Sequence, residues 1–192
     1  MSDATQSYCF NESSVHATPK LAQGQCLEHL ASFWANPDDE RYQGQGTAFG
    51  NPDVEIGKYA KCVVSVPCGG GKTDIAIRTI FAHPKGDKVR ALMLTNAGSG
   101  VKQCTELLKT QTNVPHTKIK DYGEETDKNR AAVAYLDEGV IVVSTYQTIS
   151  MKGAVSITTT LASTPFDVLI FDECHSLVSM NKSESDAHGA TW

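Results

Sequence analysis

From residue 61 onward the chain alternates short apolar runs with helical periods, and that alternation restricts it to one class of architecture. The runs at 62–66, 89–95, 140–144 and 168–171 are almost uninterrupted, and a weaker one lies at 117–120. Apolar positions at helical spacing fall between them, at 73–82, 99–109 and 126–138. Near-continuous apolar runs suit strands covered on both faces, the condition of parallel sheets. Repeated strand–helix–strand units then give an α/β fold, a parallel sheet flanked by helices on both faces. Ligands of such sheets sit beyond the carboxyl ends of the strands. A length of 192 residues suits one domain of this kind.

The first sixty residues follow a different pattern. Residues 1–18 are polar and irregular, and the expectation is a flexible N-terminal segment. Leu21, Leu27, Leu30, Phe33 and Trp34 mark an amphipathic helix over 21–34. Residues 36–58 hold Pro37, Gly44, Gly46, Gly50, Pro52 and Gly57, which predicts a long surface loop, functional or inserted into a domain spanning 19–180. Gly139 stands where a glycine would end the third helix, and residues 181–192 form a polar tail.

Two motifs terminate apolar runs. The first is Pro67-Cys68-Gly69-Gly70-Gly71-Lys72-Thr73, placed between a run and a helical period. Its glycines let backbone N–H groups approach phosphate oxygens, which a side chain would block. Lys72 supplies a positive charge to terminal phosphates, Thr73 a hydroxyl for magnesium, and the helix start a favourable dipole. The second motif is Asp172-Glu173-Cys174-His175, after the run at 168–171. Asp172 suits magnesium, and Glu173 suits orienting and deprotonating a water. Either motif alone has a plain alternative, a solvated turn or a solvated strand end. Together, at strand ends of one sheet, they point to nucleoside triphosphate chemistry with Mg2+.

Bulk properties exclude several classes. Net charge is −5, whereas a domain that grips nucleic acid by charge alone is usually basic. The six cysteines, at 9, 26, 62, 68, 104 and 174, contain no C-x-x-C pair, so free thiols are expected rather than disulfides or zinc. No apolar stretch approaches the roughly 18 residues of a membrane span. The first twenty residues lack a basic start and an apolar core, so secretion is not expected.

The two motifs resemble motifs I and II of superfamily 2 helicases, which commonly replace the first phosphate-loop glycine, here Val66. The Pro-Cys-Gly-x-Gly-Lys core is most similar to the XPB family, the DNA helicase and translocase subunit of the transcription and repair factor TFIIH. Residues 91–103 are similar to its motif Ia region, and residues 142–146 resemble its Ser-Thr-Tyr element. The likeness covers roughly residues 20–178. It implies a RecA-like P-loop NTPase domain, the first of two such domains in a helicase. It further implies that Asn96, Ser99, Ser144 and Thr145 contact a nucleic-acid backbone, DNA rather than RNA. His175 would couple the nucleotide site to the nucleic-acid site. Leu21-Ala22-Gln23-Gly24-Gln25 is similar to the family's Leu-Arg-Pro-Tyr-Gln element, whose glutamine reads adenine. Gln25 takes that place, with Gln23 a near alternative; the arginine, proline and tyrosine are absent.

Seventeen residues follow His175, too few to encode a second RecA-like domain, so none is expected within this sequence. Arginine fingers from such a domain contribute roughly 10³–10⁵ in rate. The expectation is therefore Mg-ATP binding with slow hydrolysis until a second domain, in cis or in trans, completes the site. Transcription or repair complex subunits are the implied partners, with nuclear placement in a eukaryote and cytoplasmic otherwise. The alternatives are an ATP-dependent protein-interaction module without motor activity, an inactive fragment, or another P-loop ATPase such as a kinase or transporter ATPase. The Asp-Glu-Cys-His site argues against the last.

Overall fold

The computed structural model describes residues 7–36, 38–40, 43–48, 51–60, 62–122, 136–150, 161 and 164–173. In chain order the elements are α1 (Leu21–Ala35), β1 (Gln43–Ala48), β2 (Asn51–Ala60), α2 (Lys72–Phe81), β3 (Ala91–Thr95), α3 (Gly98–Gln111), β4 (Ile119–Tyr122), β5 (Ile141–Thr145), α4 (Tyr146–Ser150) and β6 (Val168–Phe171). Strands β4-β5-β3-β6, in that spatial order, form one sheet, and every pairing in it is parallel.

Alternating side chains divide the core between the two faces of this sheet. Ala91, Met93, Ile141, Val143 and Val168 face one way and pack with Ile77 and Ile80 of α2 and Val101, Cys104 and Leu108 of α3. Leu92, Leu94 and Val142 face the other way and meet Leu136, Tyr146 and Leu161. Helices therefore lie on both faces; α3 follows the tip of β3 after two residues, and α2 starts directly from the glycine-rich loop. Burial pushes the Cys104 thiol, beside this core, up to about 12, with the negative charge of Asp172 adding to it.

Strand β6 is fixed in register at its start. The backbone N–H groups of Asp167 and Val168 both donate to the Arg90 carbonyl, at 2.9 and 3.2 Å. The Asp167 carboxylate accepts from the Arg90 N–H at 2.9 Å and from the Lys85 ammonium at 2.5 Å. The outer face of β6 is less covered: Leu169 and Phe171 are 56% and 52% exposed.

Four expectations change. Residues 62–66 form no strand; Val63 is 86% exposed, and no described strand lies alongside. An apolar run becomes a strand only against a neighbour's backbone groups, which periodicity cannot supply. The expected loop at 36–58 contains an antiparallel hairpin, β1 with β2, whose register shifts beside Gly44, Gly46 and Ala48. Those irregularities are where glycines fit a strand, so the glycine count masked the pairing. Of the expected helix at 126–138, residues 126–135 lie outside the described residues, and 136–138 are not helical.

The fourth change concerns the N-terminus. Residues 7–18 pack as a strap rather than moving freely. Tyr8 and Phe10 are buried in the core beside Phe81. The Asn11 N–H donates to the Gln111 carbonyl at 2.8 Å and the Asn113 N–H to the Cys9 carbonyl at 3.0 Å. Two aromatic side chains offer more buried apolar area than the surrounding polar residues suggest. The Arg78 guanidinium lies over the Phe10 ring at 4.7 Å, pairs with Asp74 at 3.1 Å, and donates to the His16 carbonyl. Residues 1–6 lie outside the described residues.

Candidate nucleotide site

The glycine-rich loop is a tight turn. The Gly70 N–H donates to the Pro67 carbonyl at 3.0 Å, and Gly71 caps α2 with φ 80°, in the left-handed region. A Cβ at Gly71 would collide with the Gln23 amide, so glycine is required there by both backbone angle and space. Pro67, Cys68 and Gly69 are exposed, while Gly70, Gly71, Lys72 and Thr73 are half-buried. Helix α2 runs ten residues from Lys72, with its first-turn N–H groups directed at the loop.

The acid pair caps β6. The Asp172 N–H donates to the Leu94 carbonyl at 2.9 Å, extending the β3–β6 pairing by one residue. Glu173 then turns with φ 55°, a left-handed backbone rare outside glycine. Such a conformation costs on the order of 1–3 kcal/mol and persists where surroundings over-determine it. The Glu173 carboxylate accepts from the Lys72 ammonium at 2.6 Å, joining segments 101 residues apart. Both side chains are about one-third exposed, at 30% and 36%, so solvent screens the pair and its value is positional. The hydrogen bond to Glu173 holds the Lys72 ammonium above its ordinary value, against a smaller effect of burial.

Asp172 is the member whose charge is less well compensated. Burial pushes its carboxyl up, and the negative charge of Glu173 adds to this; the Glu173 N–H and Lys72 only partly offset them. Such a carboxylate is poised to gain from a cation. Among the described residues no group of three or more His, Cys, Asp or Glu could hold a metal. Magnesium does not need such a cage, because it retains waters and takes phosphate oxygens alongside one or two protein ligands. Thr73, at the start of α2, and Asp172, at the end of β6, carry the oxygen atoms that could serve as such ligands.

The other expected residues divide. Asn96 and Ser99 are exposed at the tip of β3 and in the first turn of α3. Ser144 and Thr145 are buried, at 0% and 4% exposure. The Ser144 hydroxyl donates to the Tyr122 carbonyl at 2.8 Å, and Thr145 Oγ1 shares a 2.9 Å hydrogen bond with the Thr148 hydroxyl. Strand alternation does not reveal which hydroxyls turn inward when both faces are covered. Their hydroxyls are thus engaged inside the fold. Gln25 is exposed on α1, away from the loop contact that Gln23 makes; Gln23 is buried, its Oε1 accepting from the Lys20 N–H at 2.7 Å. Cys174 and His175 lie outside the described residues.

One site residue, Tyr146, entered the sequence reading only as the last residue of the Ser-Thr-Tyr element. The Tyr146 hydroxyl donates to the Asp172 carbonyl at 2.8 Å, and its ring stacks on Phe171. The available signal was an aromatic residue immediately after an apolar strand.

Residues 18–188 match the family described as "Type III restriction enzyme, res subunit". No curated protein matches the chain. No described helix is long and apolar enough to cross a membrane.

Proposed function

The chain belongs to the family of the type III restriction enzyme res subunit, a superfamily 2 helicase-like domain with a RecA-like α/β fold, and we propose that it is the ATP-binding half of an XPB-like DNA helicase or translocase. The observation that carries this reading is the 2.6 Å approach of Lys72 to Glu173, which unites the glycine loop and the acid pair at one rim of the sheet. The Pro-Cys-Gly-Gly-Gly-Lys core and the Asp-Glu-Cys-His motif favour the XPB-like form within the superfamily. Those motifs are what support transcription and repair as the proposed setting, with a second RecA-like domain and complex subunits as partners.

The resting ion pair defines what the residues do. An incoming terminal phosphate competes with Glu173 for the Lys72 ammonium. Displaced from Lys72, the Glu173 carboxylate accepts a proton from a water in line with that phosphate. Loop N–H groups of Gly69, Gly71 and Lys72 hold the phosphate oxygens, while the Gly70 N–H, which donates to Pro67, keeps the turn closed, and Pro67 and Cys68 shape the loop entrance. Gln23, seated against Gly71, is the glutamine better placed to read a base than Gln25. Thr73 and Asp172 would hold a magnesium ion, which would supply charge neutralisation to the phosphates. Asn96 and Ser99 remain as side chains for nucleic-acid phosphates.

Binding of a fluorescent ATP analogue with Mg2+ tests the reading. Glu173→Gln is expected to retain binding and to lose hydrolysis, the latter measured with a second RecA-like domain supplied. A Glu173→Gln protein that hydrolyses at the wild-type rate sinks the assigned role of Glu173. The burial of Ser144 and Thr145 favours a second reading, a nucleotide-dependent protein-interaction module. DNA stimulation of ATP hydrolysis decides for the motor; its absence, alongside ATP-dependent capture of a defined partner domain, decides for the module.

A further inference from the structure

We propose that Tyr146 is a positioning residue for the acid pair: it holds the peptide between Asp172 and Glu173 so that the Glu173 carboxylate faces Lys72. The inference deepens the nucleotide-site reading and rests on it for its purpose, although the geometry stands without nucleotide.

The Asp172–Glu173 peptide is the natural point of failure in this site. Glu173 sits at φ 55° without being glycine. Rotation of the preceding peptide is the simplest way for such a residue to return to an ordinary backbone angle. That rotation would swing the Asp172 carbonyl, and the Tyr146 hydroxyl donates to this oxygen at 2.8 Å. The other side of Asp172 is held too, since its N–H donates to Leu94 of β3. Tyr146 and β3 thus grip Asp172 from both sides. The strained residue lies just beyond the grip, and Lys72 holds its far end.

Tyr146 is itself rigidly placed. It is the first residue of α4, directly after β5, and only 9% exposed among Leu92, Leu94 and Leu161. Its ring is nearly parallel to Phe171, with centroids 6.4 Å apart and planes 10° apart. Thr145 Oγ1 accepts from the Thr148 N–H at 3.0 Å, which fixes the first turn of α4 beneath the ring. A hydroxyl carried on so constrained a ring sets the position of its acceptor rather than following it.

Tyr146→Phe removes the hydroxyl and keeps the ring. The readout is the rate of Lys72 modification by an amine-reactive reagent, followed by mass spectrometry on the unliganded full chain. Lys85, paired with Asp167, serves as the internal reference. Tyr146→Phe is expected to raise Lys72 labelling about threefold to tenfold, towards the level of Glu173→Gln, with Lys85 unchanged. ATP hydrolysis, measured with a second RecA-like domain supplied, is expected to fall by a similar factor while analogue affinity stays constant. Lys72 labelling equal to wild type, or a parallel rise at Lys85, overturns the proposal. Should Tyr146→Phe fold poorly, Phe171→Leu at the exposed partner ring decides: it should raise Lys72 labelling in the same direction and less. A wild-type protein that fails to bind the analogue strikes the nucleotide reading alone, because lysine labelling is read without nucleotide.

Discussion

Strand β6 has an aspartate at its entrance and another at its exit, and the two meet opposite surroundings. Asp167 is pushed up by burial, but the Arg90 N–H and the Lys85 ammonium overcome this and hold it below the usual carboxylate range. Asp172 is pushed up by burial and by Glu173, and its partners do not overcome this. The entrance carboxylate is satisfied by the protein, so its task is to hold β6 against β3. The exit carboxylate is under-compensated, the condition that the proposed magnesium site would use. Two residues of one type, five positions apart, thus divide stability from function.

Exchanges at the two ends should separate cleanly. The largest effect is expected from Lys72→Ala at the exit end, which should weaken binding of an ATP analogue about 100-fold, as losing a charged hydrogen-bond partner to phosphate does. Its thermal stability should barely move, because the Lys72–Glu173 pair is screened. Analogue affinity within twofold of wild type would remove the phosphate-loop assignment. At the entrance end, Asp167→Ala should cost about 2 kcal/mol of unfolding free energy and leave analogue binding unchanged, since the Arg90 N–H loses its acceptor. The Asp167 carboxyl lies below its ordinary 3.8 in the folded protein, so its contribution is complete above that value and fades as pH falls below it. The gap between wild type and Asp167→Ala in urea melts should therefore narrow in acid; a gap that widened would reverse the sign assigned here.

The smallest effect belongs to Asp172→Asn, expected to stabilise the magnesium-free protein by about 0.5 kcal/mol. A carboxyl raised above 3.8 disfavours the folded state once ionised, so this gain should grow as pH climbs through the raised value and vanish in acid. Destabilisation by Asp172→Asn at neutral pH would erase the contrast between the two ends.

How much of this was legible in the sequence depends on where each interaction partner lies. Strands β3, β5 and β6 and helices α2 and α3 follow directly from apolar periodicity, because their burial is set by a sheet they build themselves. The glycine loop and the acid pair were visible as motifs, yet their meeting at 2.6 Å depends on two segments a hundred residues apart. Residues 62–66 misled, since Val63 and Val64 have strand-forming side chains but no described partner strand. Ser144 and Thr145 misled for the opposite reason: a polar residue at a strand end looks available, whereas both hydroxyls close hydrogen bonds inside the fold. Tyr8 and Phe10 announced the strap, but a polar background obscured them.

The strap also sets a practical limit on how the protein is cut for expression. The family match begins at residue 18, an inviting place to start a shortened chain. Such a chain would discard Tyr8 and Phe10 and uncover the side of Phe81 and Ile77 that they shield. The loss of each ring would cost on the order of 3 kcal/mol. A trimmed protein that precipitates or fails to bind ATP would then report on a missing wall of the core, with its nucleotide chemistry untouched.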